Sequence, residues 1–259
     1  MEESFFVKIG DFVNKERKRS ALILAAGRGK RMGADSPKCL VKVFDKTMIE
    51  MVIDNIKKAG IDDITIVLGY KALEVLKVVG DSNDICYQKE LLGTANAVLS
   101  AKEKYKDKNV DLLIIASDMP FISYISINEA FDVFRKEKAD ILLMTSTIEN
   151  DNNYGRVIKD KCGNVIEIVE RKDLKADMLN IKEVNASVYI VKSEDIFDYL
   201  KNVKNDNCQN EYYFTDVIKI YNTNKKKILS YALKDNREII GVNCEKDLFL
   251  AKDMFEENH

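Results

Sequence analysis

The stretch Ala21-Leu22-Ile23-Leu24-Ala25-Ala26-Gly27-Arg28-Gly29-Lys30-Arg31-Met32 decides the fold. Its opening apolar run reads as a strand, and glycines and cations follow directly at the strand's carboxyl end. In open α/β sheets that end is where ligands bind. Gly27 and Gly29 allow a tight turn whose N–H groups face inward as an anion nest. Arg28, Arg31 and Lys38 add fixed positive charge, planar and two-pronged for arginine and compact for lysine. Two familiar glycine motifs fail. Gly29-Lys30 is followed by Arg31 where a Walker loop needs Ser or Thr, and Met32 stands where a dinucleotide fingerprint needs a small residue.

Working outward, apolar spacing predicts a helix over 48–59 closed by Gly60, a strand over 64–68, a helix over 72–79 and a short strand near 85–87. A helix over 94–104 follows, then a continuous apolar strand over 112–116, ended by Ser117-Asp118-Met119-Pro120. Continuous apolar runs suit parallel strands covered on both faces. Strand and helix alternate to about Thr147, the mark of a doubly wound sheet with right-handed crossovers. Beyond that point short strands dominate, at 156–158, 165–169 and 184–191. Helices are expected at 194–200, 214–221 and 245–255, and residues 201–209 read as a polar loop. The expected class is therefore α/β, a Rossmann-like doubly wound mixed sheet.

Composition excludes several chemistries. With 259 residues and a net charge of -2, the chain has no blanket attraction for nucleic acid or an anionic membrane. A phosphate site must be a local basic cluster. Five scattered cysteines without a Cys-x-x-Cys pair argue against zinc and disulfides, and read as buried small hydrophobes in a reducing cytoplasm. The single histidine is His259, so histidine triads and histidine-ligated metals are not available. No apolar run is long enough to span a bilayer. Residues 1–20 carry Phe5, Phe6, Ile9, Phe12 and Val13 at helical spacing with basic residues after them. They are read as an amphipathic extension packed on the body rather than a signal peptide.

Further strings add to the opening one. Ser36-Pro37-Lys38 follows the glycine loop, then Gln88-Lys89-Glu90-Leu91-Leu92-Gly93-Thr94-Ala95, Tyr154-Gly155-Arg156-Val157, Val169-Glu170, Asn185, Glu211-Tyr212-Tyr213-Phe214-Thr215-Asp216 and Gly241-Val242-Asn243. In this order they resemble the sugar-1-phosphate nucleotidyltransferases, most of all the uridylyltransferase half of the GlmU-type N-acetylglucosamine-1-phosphate uridyltransferases. The resemblance runs from about Ala21 to Phe255. It implies a nucleotide half over about 21–147 and a smaller sugar-binding half over about 148–259, forming one catalytic domain over 21–259. It also implies magnesium, UTP and N-acetylglucosamine 1-phosphate as substrates, and a role in supplying cell-wall precursors. Carried over by position, Leu24, Ala25, Ala26 and Gly27 touch the nucleotide. Arg28 and Lys38 meet the phosphates, and Gln88, Gly93 and Thr94 hold the base. Asp118 and Asn243 bind the metal. Gly155, Glu170 and Asn185 hold the sugar, with Tyr213 and Thr215 lining its pocket.

The chemistry stands on the residues too. A sugar phosphate is already ionised at neutral pH and needs no general base, which agrees with a chain lacking a usable histidine. Positioning and charge neutralisation remain the tasks. Magnesium takes oxygen ligands and few protein contacts, so one carboxylate and one amide oxygen suffice. Asp118 alone also reads as a turn-former before Met119-Pro120. Gln88 offers a donor and an acceptor to the N3–H and O4 edge that uracil and thymine share, but alone it is a solvated strand-end residue. Glu170 and Asn185 alone read as a surface charge and a turn asparagine. Tyr212, Tyr213 and Thr215 fit a sugar pocket as well as they fit core packing beside a helix cap at Thr215 or Asp216.

Three departures from the family pattern stand out. Ala116-Ser117-Asp118 replaces Tyr-Gly-Asp, and Asn185-Ala186-Ser187 replaces Asn-Thr-Gly, which opens the choice of sugar. No hexapeptide repeats follow, so acetyltransferase activity is not expected and any oligomer, monomer or dimer being open, uses another surface. Thymidine triphosphate, another sugar 1-phosphate and a non-catalytic nucleotide-sugar sensor are the competing readings.

Overall fold

The structure is a computed structural model that describes residues 17–28, 36–149 and 153–242, with 247 and 249. Residues 1–16, Gly29, Arg31, Asn243, Cys244 and most of the helix expected at 245–255 lie outside the described residues.

Strand β1 (Lys18–Ala25) lies inside a nine-stranded sheet, and β2 (Lys42–Val43) and β3 (Lys46–Thr47) form a separate antiparallel pair. It pairs in parallel with β4 (Ile64–Leu68) on one side and β6 (Val110–Ala116) on the other. β4 continues to the edge strand β5 (Asp84–Tyr87), also parallel. Beyond β6 the sense changes. β10 (Glu183–Lys192) lies antiparallel between β6 and β7 (Ile141–Thr147), and β11 (Ile228–Ala232) closes the far edge parallel to β7. β8 (Arg156–Lys159) and β9 (Val165–Val169) form an antiparallel pair that joins the sheet where Arg156 meets Val184. The mixed sheet expected from the sequence is present. Because β10 is inserted between two strands of the first half, both halves share that sheet.

Alternation within the apolar runs builds two cores. Ile23, Ile66, Leu113 and Ile115 face one layer with Phe131. Leu22, Val67, Leu112 and Ile114 face the other with Tyr189, Phe197 and Phe214. Side chains alternate faces along a strand, so a run without polar breaks must be covered twice. Each such aliphatic residue contributes roughly 1.5–3 kcal/mol on burial.

Local signals explain the helix limits. Thr47 caps α1 (Met48–Lys58) in a capping box: its hydroxyl accepts from the Glu50 N–H, and the Glu50 carboxylate accepts from the Thr47 N–H at 2.8 Å. Gly60, at φ 79°, ends it. Ser123 caps α5 (Tyr124–Lys136) in the ordinary extended way. α2 (Ala72–Val79) matches its expected span. The helix expected over 94–104 is broken into α3 (Thr94–Leu99) and α4 (Lys102–Tyr105). The Ser100 hydroxyl donates back to the Asn96 carbonyl at 3.0 Å, competing with the helix ladder at the break. The second half carries α6 (Ser193–Leu200) and α7 (Asp216–Thr223).

Two further expectations change. Lys18 and Arg19 open β1, with Arg17 directly before it, rather than ending a separate extension. Arg17 Nε lies 2.8 Å from the buried carboxylate of Asp111, which Arg135 also engages at 2.8 Å. Cysteine burial is uneven: Cys39 is buried, Cys86 is half-buried, but Cys162 and Cys208 are exposed. Both lie in polar loops with no core to enter. Among the described residues no helix is long and apolar enough to cross a membrane.

Candidate active site

A cleft of about 1230 Å³ opens at the carboxyl ends of β1, β4, β5 and β6. Leu24, Ala25, Ala26, Gly27 and Arg28 line it directly, as the sequence predicts for a nucleotide loop. A Cβ added to Gly27 would meet nothing within 4 Å. No packing in the described protein therefore requires this glycine, and its open face suits close approach of a ligand.

Lys38 and Asp118 meet across the cleft as an ion pair, joining the turn after Pro37 to the end of β6. The turn after β6 is closed by the Met119 N–H donating to the Ala116 carbonyl at 3.3 Å. Its backbone closes the turn while the Asp118 carboxylate faces Lys38 within the cleft. Cations outnumber carboxylates along the lining: Arg28, Lys38, Lys71, Lys89 and Lys172 against Glu90, Asp118 and Glu211. In a chain of net charge -2 this is the local basic cluster that a polyphosphate demands.

Gln88, Gly93 and Thr94 also line the cleft, with a difference of detail. The Gln88 amide nitrogen donates to the Gly93 carbonyl at 3.1 Å and to Asn96 Oδ1 at 2.8 Å. Two acceptors fix the amide's orientation and use its donor side. Gln88 thus presents only its carbonyl oxygen, able to accept from a base N3–H but not to donate to O4. Gly93 sits at φ 121°, and a Cβ there would lie 2.5 Å from the Tyr212 carbonyl oxygen. The segment Leu92–Ala95 is clasped by Tyr212–Phe214. Tyr212 N–H donates to Leu92 O at 2.8 Å, Ala95 N–H to Tyr212 O at 2.9 Å, and Phe214 N–H to the Thr94 hydroxyl at 2.8 Å.

The residues expected to hold the sugar gather behind this clasp. The Thr215 hydroxyl donates to Glu170 Oε1 at 3.0 Å, and a Cβ on Gly155 would lie 3.5 Å from Glu170 Oε2. Asn185 N–H donates to the Gly155 carbonyl at 3.0 Å. The Asn185 amide donates to the Tyr189 hydroxyl at 2.6 Å, and its oxygen accepts from Ser187 N–H at 3.2 Å. Asn185, Thr215 and Tyr213 are buried. Burial, with Asp216 and Asp173 nearby, raises the Glu170 carboxyl above its ordinary range against the Thr215 hydrogen bond. Neither the surface-charge reading of Glu170 nor the capping reading of Thr215 fits. Thr215 stands at the N-cap of α7, but its backbone is helical and its side chain makes no cap bond. None of these five residues lines the open cleft itself. Its edge there is Lys172, Gln209 and Glu211, and the Gln209 amide reaches the Tyr213 hydroxyl at 2.6 Å.

The sequence reasoning missed Gly69, Tyr70, Lys71, Lys172 and Gln209. Only Gly69 left a signal: a Cβ there would strike Leu91 Cδ2 at 2.7 Å and Ala26 Cβ at 2.8 Å, so glycine is needed where the chain leaves β4. Ser187 explains one departure. It holds φ 55° at the register shift between Asn185 and Tyr189, a left-handed conformation that glycine adopts without strain.

Among the described residues no group of three or more His, Cys, Asp or Glu gathers as a ready-made metal cage. A single half-buried carboxylate beside a polyphosphate-sized cleft fits magnesium, which keeps waters and binds through one or two carboxylates plus substrate oxygens.

The sheet order, with a cationic cleft at the carboxyl ends of its parallel strands, defines a protein of the doubly wound α/β class. The sequence pattern of the nucleotidyl transferase family matches residues 20–241, and the chain belongs to that family. It is 37% identical over 238 residues to the bifunctional protein GlmU of Caldicellulosiruptor saccharolyticus, covering 91% of this chain and 51% of that protein. It is 40% identical over 234 residues to the bifunctional protein GlmU of Clostridium botulinum strain Loch Maree, covering 90% and 51%. The chain thus spans about half the length of the curated relatives it matches. A structure of UDP-glucose pyrophosphorylase complexed with UDP-glucose superposes with a TM-score of 0.75 at 18% identity, covering 94% of this chain and 100% of that one. At that identity the likeness speaks for the fold.

Proposed function

We propose that the chain transfers a uridylyl group from UTP to N-acetylglucosamine 1-phosphate and releases pyrophosphate. The observation that carries the reading is the Lys38–Asp118 pair in a cationic cleft, with the buried Glu170–Thr215–Asn185 group behind its sugar-side rim. The attacking phosphate arrives ionised, so no side chain needs to remove a proton. Arg28 and Lys38 neutralise the polyphosphate and hold it in line. The Gln88 carbonyl oxygen accepts the base N3–H, a donor that cytosine lacks. Glu170, Thr215 and Asn185 offer fixed hydrogen bonds to sugar hydroxyls or an acetamide. A sugar that leaves such buried groups unpaired is rejected strongly. Asp118 would hold magnesium together with Asn243, which lies outside the described residues. When bound, the ion supplies charge neutralisation at the reacting phosphate. Because the Gln88 acceptor meets uracil and thymine alike, thymidine triphosphate remains the second nucleotide to test.

The test is pyrophosphate release with magnesium and N-acetylglucosamine 1-phosphate, comparing UTP, dTTP, CTP, ATP and GTP, with Asp118→Ala as control. Release with UTP and its loss in the variant are expected. If no triphosphate and none of the glucose, galactosamine or mannose 1-phosphates gives release, the enzyme reading fails and a nucleotide-sugar sensor replaces it.

A further inference from the structure

We propose that Lys71 is a further polyphosphate-binding residue of this cleft, a role that rests on the nucleotidyl-transfer reading. Lys71 lines the same cleft as Gly27, Arg28 and Lys38. Its ammonium lies 5.8 Å from the centroid of the Tyr70 ring, and the Arg28 guanidinium lies 5.7 Å from the same centroid. Tyr70, itself a lining residue, is fixed by its N–H donating to the Ala26 carbonyl at 3.1 Å. One aromatic ring anchored to Ala26, next to Gly27, thus gathers two cations beside the place where phosphate is expected. Attraction to the ring face holds each cation without neutralising it. The Lys71 ammonium also lies 3.4 Å from Glu74, a partly exposed pair that binds weakly and that a polyphosphate would outcompete.

Helix capping does not explain a lysine at this position. Lys71 is the N-cap of α2 but holds φ 48°, ψ 40° and makes no side-chain cap bond. Among the described α-helices only Thr47 and Ser123 make a side-chain cap bond, and Lys192 is a second lysine N-cap, but Lys192 is extended at φ -73° where Lys71 is left-handed. Lys71 therefore forgoes the cap and adopts a left-handed backbone. It also places a cation at the positive end of a helix dipole. Lys138 and Lys225 share the left-handed backbone, but each follows a helix end, where reversal of the chain calls for it. Several local rules broken together at one cleft-lining residue mark a position kept for its side chain.

The experiment titrates inorganic pyrophosphate calorimetrically, in magnesium buffer at fixed ionic strength, into the wild type, Lys71→Ala and Lys71→Gly. Thermal melts accompany each protein. Removing one charge-assisted contact should weaken pyrophosphate binding about tenfold in both variants. Lys71→Gly should also melt above Lys71→Ala, because glycine accepts the left-handed backbone. Equal affinity in all three proteins, or no binding by the wild type, overturns the role of Lys71. Turnover is measured separately. A wild type that binds pyrophosphate through Lys71 but transfers no nucleotide keeps this inference and sinks the uridylyltransferase reading.

Discussion

Replacing Gly93 with alanine should damage the protein more than the same change at Gly27, Gly60, Gly69, Gly80, Gly155 or Gly163. The backbone there, φ 121° and ψ 179°, lies in a region that is essentially reserved for glycine and costs roughly 1–3 kcal/mol for other residues. The added Cβ would also lie 2.5 Å from Tyr212 O and 2.7 Å from Tyr212 N. Both contacts are backbone, so no side chain can swing away. Relief requires Leu92–Ala95 to part from Tyr212–Phe214, with loss of their three hydrogen bonds at about 1 kcal/mol each. The sum is about 4–6 kcal/mol, a large share of a typical total of roughly 5–15. At about 2–4 °C per kcal/mol for a chain this size, the melting point should fall by about 15 °C. Gly60→Ala is the control, since φ is 79° there but nothing lies within 4 Å, leaving roughly 1 kcal/mol of backbone strain alone. Urea denaturation followed by circular dichroism measures both. If Gly93→Ala costs no more than Gly60→Ala, the clasp is not the tight junction described here.

Other substitutions test other parts of the fold. Asp111→Ala leaves Arg17 and Arg135 facing a buried site without their carboxylate, and should cost about 3–5 kcal/mol in urea denaturation. Burial, with Asp173 and Asp206 nearby, pushes the Asp216 carboxyl up to about 6, so its protonated form favours folding. That contribution is complete below about pH 4 and is lost as pH rises through 6. The stability of Asp216→Asn relative to the wild type should therefore rise between pH 4 and 6 and level off above, and a flat difference across that range would contradict it. Ser187→Gly should stabilise by roughly 0.5–1 kcal/mol by relieving a left-handed serine, and an unchanged denaturation midpoint would contradict that backbone.

Much of the fold is legible because local and tertiary signals agree. The strands 64–68 and 165–169 and the helix 72–79 coincide with their apolar patterns. Strand β11 is not legible in this way: Ile-Leu-Ser-Tyr-Ala lies at the sheet edge, where side chains are half-buried and the pattern weak. The position of β10 between β6 and β7 is also hidden, since strand order is set by long-range pairing that no window of residues contains. In the site, the glycine turn and the aspartate at a strand end announce themselves. Lys71, Lys172 and Gln209 do not, because they are ordinary surface residue types until the fold brings them to one cleft. Gln88 shows the limit from the other side. Its identity suggested a two-sided reader of a base, but Asn96 and the Gly93 carbonyl consume its donor.

The two parts of the site differ in burial, and burial sets which force governs each. Arg28 and Thr94 are exposed at the cleft, so the attraction of its cations for a polyphosphate is long-ranged and screened by salt. It can draw any nucleoside triphosphate and cannot choose well among them. Thr215 and Asn185 are buried around a carboxylate whose pKa is raised, so each polar atom there must be satisfied by a partner or carry a cost. On the proposed reading, that environment would discriminate among sugars and contribute little at long range. The clasp between Leu92–Ala95 and Tyr212–Phe214 joins the two, because it carries the Gly93 carbonyl that fixes Gln88 on one side and leads into Thr215 on the other. A polypeptide that tied its base-reading amide and its sugar-reading hydroxyl to one backbone junction would sense both substrates through that junction. This is why glycine at position 93 matters for the geometry of both halves.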